Sequence, residues 1–264
     1  MTQPTLGQLV ETGDIAAVRG VLETQSLRDA EVSWAIMQCI KFKQREILDV
    51  LLSHTRTHLR PAPDFFSGPL AWAAGQEEDT ALFEYILKES PSHYHALSTT
   101  LTHLMQKEKE GTNQQVMRQF ELWCQKADPV SLEKALSTIV VWNLPRFVCH
   151  IYPKWLTVAS DQKISSELFK NLTHCFSCGE RQHGATLRHP QIYDFLLAQV
   201  SPSLAQQFLH KIEHDKKADH FRYMPGIPDI YAILEPVFES VVQNEVLKNS
   251  VQECATPSSV VRKM

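Results

Sequence analysis

The feature that most limits how this chain can fold is a spacing. Short amphipathic segments recur in pairs, and the second member of each pair ends on an apolar anchor: Leu22, Leu52, Leu87, Leu122, Tyr152, Leu197 and Leu234. Successive anchors stand 30, 35, 35, 30, 45 and 37 residues apart. An amphipathic helix carries one apolar stripe, and a lone hairpin of two short helices cannot cover both stripes, so such units are stable only when neighbours shield them. With nine glycines in 264 residues and few alternating β-branched runs, strands should be scarce. The chain is therefore predicted to be all-α, a stack of about seven helix-turn-helix units.

The units can be taken in order. Leu6 to Leu22 reads as two helices without a gap, with Gly13 at the turn, where a positive φ favours glycine. Ile36, Cys39 and Ile40 pair with Ile47 to Leu52, and Lys43 takes the turn position. Thr55 to Gly68, with Pro61 and Pro63, reads as a loop. The third unit, Pro69-Leu70-Ala71-Trp72-Ala73-Ala74 with Leu82 to Lys88, has proline suited to a first helical turn and small residues that admit a close second helix. This unit resembles an ankyrin repeat, T-P-L-H-x-A-A followed by a turn and V-V-x-L-L-L, with Gly68 at the threonine and Ala71 at the histidine position. The fourth unit, Leu101 to Leu122, carries a polar insertion over 107–115, expected at its turn. In the fifth, Leu136 to Tyr152, Asn143 stands at the turn and Pro145 opens the second helix. The sixth joins 172–179 to Ile192–Leu197 through a longer loop, and the seventh pairs 204–208 with 230–234. The resemblance implies a solenoid of degenerate ankyrin-like repeats over 1–247, with 248–264, polar and ending Arg262-Lys263, as a flexible tail.

Composition narrows the function. A net charge of −4 argues against a surface that tracks nucleic-acid phosphates. The apolar runs, such as Ile139 to Trp142, are too short to cross a bilayer, and Met1 to Pro4 opens no signal peptide. Six scattered cysteines suit reduced thiols, hence a cytoplasmic protein.

Three sets of residues could carry chemistry. Cys175-Phe176-Ser177-Cys178 followed by His183 is similar to a zinc knuckle, although Arg188 stands where the fourth ligand belongs. The plainer reading gives Cys175 the same small core position as Cys39, and no metal or other cofactor is expected. Among the histidines, His93, His95 and His103 form one group and His210, His214 and His220 another, but no nucleophile motif accompanies either, so they read as surface residues. Trp72, Phe83, Tyr85, Phe120, Phe147, Phe195 and Tyr231 fall at positions that the repeat template buries. Phe42 and Trp142 fall just before a turn, normally polar, and are the candidate partner-binding anchors. The expected function is non-enzymatic: a monomeric module that binds another protein through its groove and loops, without nucleic acid and without membrane insertion. The alternatives are a zinc-stabilised module using Cys175, Cys178 and His183, or a translocated microbial effector with an unrecognised catalytic site.

Overall fold

The computed structural model describes residues 4–59, 61–62, 64–76, 80–92, 94–111, 113–178, 185–217 and 226–255, the side chains of 94–96, 178 and 249–255 excepted. Helices take up 80% of it, which bears out the all-α expectation. Contacts divide the chain into two units, Met1–Val158 and Ala159–Met264.

The first unit is a run of helical hairpins: α1 (Leu6–Thr12) and α2 (Ile15–Thr24), α3 (Asp29–Phe42) and α4 (Arg45–His58), α5 (Ser67–Gly75) and α6 (Thr80–Glu89), α7 (Tyr94–Glu110) and α8 (Gln114–Lys126), α9 (Pro129–Val141) and α10 (Pro145–Leu156). Within each hairpin the two helices pack on one another. Between hairpins, α1, α3, α5, α7 and α9 pack in chain order as one row, while α2 meets α4, α6 meets α8 and α8 meets α10 in a second. The core lies between the rows, where Leu70, Ala73 and Ala74 of α5 and Leu136, Ile139 and Val140 of α9 are buried. Phe120 stacks on Phe147, centroids 3.9 Å apart, and joins α8 to α10.

The helix ends follow local chemistry. Thr5 and Gln8 make a reciprocal capping box at α1, and the carboxylates of Asp14 and Asp128 accept backbone N–H groups at the starts of α2 and α9. Pro129 and Pro145 occupy first turns, where a missing N–H costs nothing.

One turn recurs three times. Gly13, Lys43 and Asn143 all adopt the left-handed conformation, at φ 75°, 58° and 57°. In each case this residue's N–H donates to the carbonyl three positions back, and the next N–H donates to the carbonyl five back: Asp14 to Leu9, Gln44 to Cys39 and Leu144 to Ile139. That pair of bonds closes a helix in a Schellman turn. The second helix then starts within two residues, so three hairpins share one corner despite having glycine, lysine and asparagine at its tip.

Other segments depart from expectation. Lys107 to Glu110 belong to α7 and are not part of a loop, because lysine and glutamate are good helix formers whatever their polarity. The stretch expected to be loop from Thr55 is helical to His58, and the loop that follows folds down on α3. Phe65 and Phe66 are buried there, the Ser33 hydroxyl donates to the Phe65 carbonyl (3.0 Å), and the Ala62 N–H donates to Asp29 (3.2 Å).

The second unit holds α11 (Asp161–His174), the antiparallel strands β1 (Phe176–Cys178) and β2 (Ala185–Leu187), then α12 (Pro190–Leu197), α13 (Pro202–Lys217) and α14 (Ile227–Ala255). Its core is a cluster of rings, Phe169, Phe208, Tyr231 and Phe238, with centroids 5.1 to 6.4 Å apart. The Tyr231 hydroxyl donates to Asp215 (2.8 Å), which also meets Lys211. α14 continues through Ala255, and residues 256–264 of the expected tail lie outside the described residues.

Candidate interaction surface

Aromatic side chains are the groups that could dominate recognition, and their exposure separates them. Phe42 ends α3 and Trp142 follows α9, each immediately before a left-handed residue, as the sequence placed them. Both are half-buried, and each has a lysine over its ring: Lys41 Nζ at 5.0 Å from Phe42 and Lys109 Nζ at 5.5 Å from Trp142. They occupy equivalent corners on helices that α5 and α7 separate in the row, so they do not form one patch.

Two other tryptophans are the open ones. Trp34 is 52% exposed on α3 and Trp72 is 40% exposed on α5, the next helix in the row. Trp72 therefore corrects the template reading that buried it. With Leu70, Ala73 and Ala74 facing inward, residue 72 falls about 200° round the helix from Leu70 and faces solvent. Trp34 stands two residues before the buried Ile36 by the same geometry, and period alone would have found it. Its indole also crosses to α1, where a Cβ on Gly7 would come within 3.2 Å of Nε1. Gly68 gives Met37 similar room between α5 and α3. Small residues thus let large ones lie across the row, leaving their outer faces open.

Tyr85 and Phe195 are half-buried and not buried as the template required. Tyr85 is held by polar groups: its hydroxyl donates to Asp49 (2.8 Å), and the Arg45 guanidinium lies 3.8 Å above its ring. Arg56 meets Glu89 at 3.0 Å, so α4 and α6 are clipped together by charge.

One charge is placed deep. Arg146 of α10 donates to both carboxylate oxygens of Glu108 on α7, at 3.0 and 3.4 Å, and the Glu108 side chain is only 6% exposed. Burial raises the Glu108 carboxyl above its usual range, and Arg146 opposes that shift.

The remaining candidates divide simply. Cys175 is buried, its thiol donates to the Asn171 carbonyl (3.3 Å), and burial pushes it up to about 12, as at Cys39. His183 and the side chain of Cys178 lie outside the described residues, as do His93, His220 and the side chain of His95. Among the described residues no group of three His, Cys, Asp or Glu side chains could hold a metal ion. His210 and His214 are exposed, while His103 is half-buried against α5, its Nε2 3.4 Å from where a Gly75 Cβ would stand. No helix among the described residues is long and apolar enough to cross a membrane. Comparison with protein-family models, curated proteins and solved structures finds no match to this chain.

Proposed function

We propose that the helix pairs are degenerate ankyrin-like repeats and that the chain is a non-enzymatic binding module for another protein. The observation that carries this reading is the pair of open tryptophans, Trp34 and Trp72, on adjacent helices of one row. Large aromatic side chains standing in water on rigid helices lose little conformational freedom when covered, which is why such groups dominate interface energies. The shared corner at Gly13, Lys43 and Asn143 and the ordered stacking of hairpins support the repeat reading, although Lys43 and Ala71 depart from the family's pattern. The partner meets the row formed by α3 and α5, with Phe42 and Trp142 at its corners as secondary contacts. A monomer in the cytoplasm, without cofactor, nucleic acid or catalytic turnover, completes the proposal.

The test is capture by the full chain, identification of what binds, and titration of that protein against variants. Trp34→Ala and Trp72→Ala should each weaken binding about thirtyfold, the effect of a residue worth about 2 kcal/mol, with little change in melting. Trp142→Ala should also weaken binding more than it lowers melting. Unchanged affinity in both Trp34→Ala and Trp72→Ala, or a loss that only tracks lost stability, would sink the proposal.

A further inference from the structure

The ring pair Phe120 and Phe147, which joins α8 to α10, has a titratable neighbour. His150, one turn beyond Phe147 on α10, meets Phe120 edge-on, with centroids 5.9 Å apart and planes at 62°. Its side chain is 25% exposed, yet Nε2 is closed off from solvent and has no hydrogen-bond partner. Nδ1 faces Glu121 of α8 at 3.9 Å, too far for a hydrogen bond.

A neutral imidazole carries one proton and can leave the enclosed nitrogen bare. An imidazolium carries a proton on both nitrogens, so whichever tautomer the neutral ring adopts, the charged ring must set an N–H at Nε2, where no acceptor meets it. The charges that act on the ring are Lys154, one turn on along α10, and Glu121; α9, which also packs on α10, supplies none. Arg146, one turn back, is committed to Glu108. The buried Cys124 thiol of α8, pushed up to about 12, stays neutral beside the same two charges. Burial first and Lys154 second hold His150 below the usual imidazole range, and Glu121 opposes them only in part. The unfolded chain therefore takes up this proton before the folded chain does. Stability that is full at neutral pH is lost as pH falls through the ordinary imidazole value.

We propose that His150 is an acid-sensitive latch between α8 and α10: on acidification the seam cannot accommodate the second proton of the ring, and the α9–α10 hairpin parts from α8. The loss is local, because the imidazole rests on the aromatic stack that ties these two helices. This latch is independent of the tryptophan surface and of the repeat reading.

Amide hydrogen exchange of the full chain, corrected for the pH dependence of the exchange chemistry, reads the opening directly. Between pH 7.5 and 5.5, protection in α10 should fall about three- to tenfold relative to α3. Ten is the ceiling, because an imidazole of ordinary value, about 6.5, is about ten parts charged to one neutral at pH 5.5. His150→Phe and His150→Gln cannot titrate at this position and should hold that ratio constant, with circular dichroism to check that each folds. The chain has twelve histidines, so the His150 ring resonance is assigned by its loss from the variants' spectra, and its titration midpoint should lie below about 6.5. A midpoint at or above that value, no loss of protection in α10, a loss that α3 shares equally, or the same loss in a folded variant would each overturn the latch.

Discussion

Replacing Lys43 by glycine should stabilise this protein, although glycine within a helix is usually a loss. Lys43 sits at φ 58°, ψ 33°, where an L-residue's Cβ crowds the following carbonyl at a cost of about 1 kcal/mol. Lys43→Gly removes that strain and returns about 0.5 kcal/mol through the greater freedom of glycine in the unfolded chain. The net gain is about 0.5 kcal/mol, or 1 to 2 °C in melting temperature for a unit of this size. Gly13→Ala reverses the operation at φ 75° and should cost about 0.5 kcal/mol, the backbone strain less the entropy that alanine removes from the unfolded chain, because the new Cβ otherwise meets only the movable end of Gln44. The assay is urea unfolding followed by far-ultraviolet circular dichroism, with both variants compared at a common slope. A Lys43→Gly variant less stable by about 1 kcal/mol, the ordinary cost of glycine in a continuing helix, would show that residue 43 is not left-handed and that the shared corner is wrong.

Other predictions rest on single contacts. Arg146→Met should destabilise by about 2 kcal/mol at neutral pH, less than the loss of a fully buried pair because Arg146 is 37% exposed. Glu108 has a raised carboxyl, so its contribution is full below the ordinary carboxylate range and is lost as pH rises through its folded value. Removing Arg146 raises that value further, and the gap between variant and parent should therefore be smallest at about pH 4 and widen toward pH 7. A gap independent of pH in urea titrations would remove the ion pair from the explanation. Thiol alkylation mapped by mass spectrometry should label Cys149, exposed, in the native protein and reach Cys39, Cys124 and Cys175, all buried, only on unfolding. Labelling of Cys149 should accelerate as pH rises through and above the ordinary thiol range, since burial raises its thiol.

Much of the architecture was legible because amphipathic spacing is a physical instruction. Leu6, Leu9 and Val10, or Ile36, Cys39 and Ile40, leave a helix one stripe to bury, and Gly13 and Asn143 mark where it must stop. Lys43 shows the turn being imposed by the bonds around it against residue preference. The misses have equally local causes. The repeat template buries Trp72 where its angle from Leu70 turns it outward, and the polarity of Lys107 to Glu110 suggests a loop although these residues propagate α7. Strands of three residues, such as Phe176–Cys178, are too short to leave an alternating pattern. The folding of Phe65 and Phe66 onto α3 depends on a partner 32 residues away, Ser33, which no local signal carries. For the surface, the openness of Trp34 follows from its angle to Ile36, but its reach across to Gly7 depends on how α1 packs on α3, which no local pattern shows.

The one-directional packing of the first unit also governs how it comes apart. The α1–α2 hairpin has packing neighbours on a single side among the described residues, α3 and α4, whereas α5 and α6 are covered from both directions along the stack. Opening should therefore begin at that end and travel inward, giving amide hydrogen exchange that is fastest in α1 and α2 and slows toward the middle of the array. Because Trp34 lies across Gly7, whatever settles on that indole also weighs on the first hairpin, and slower exchange there would report an occupant seated one hairpin further in.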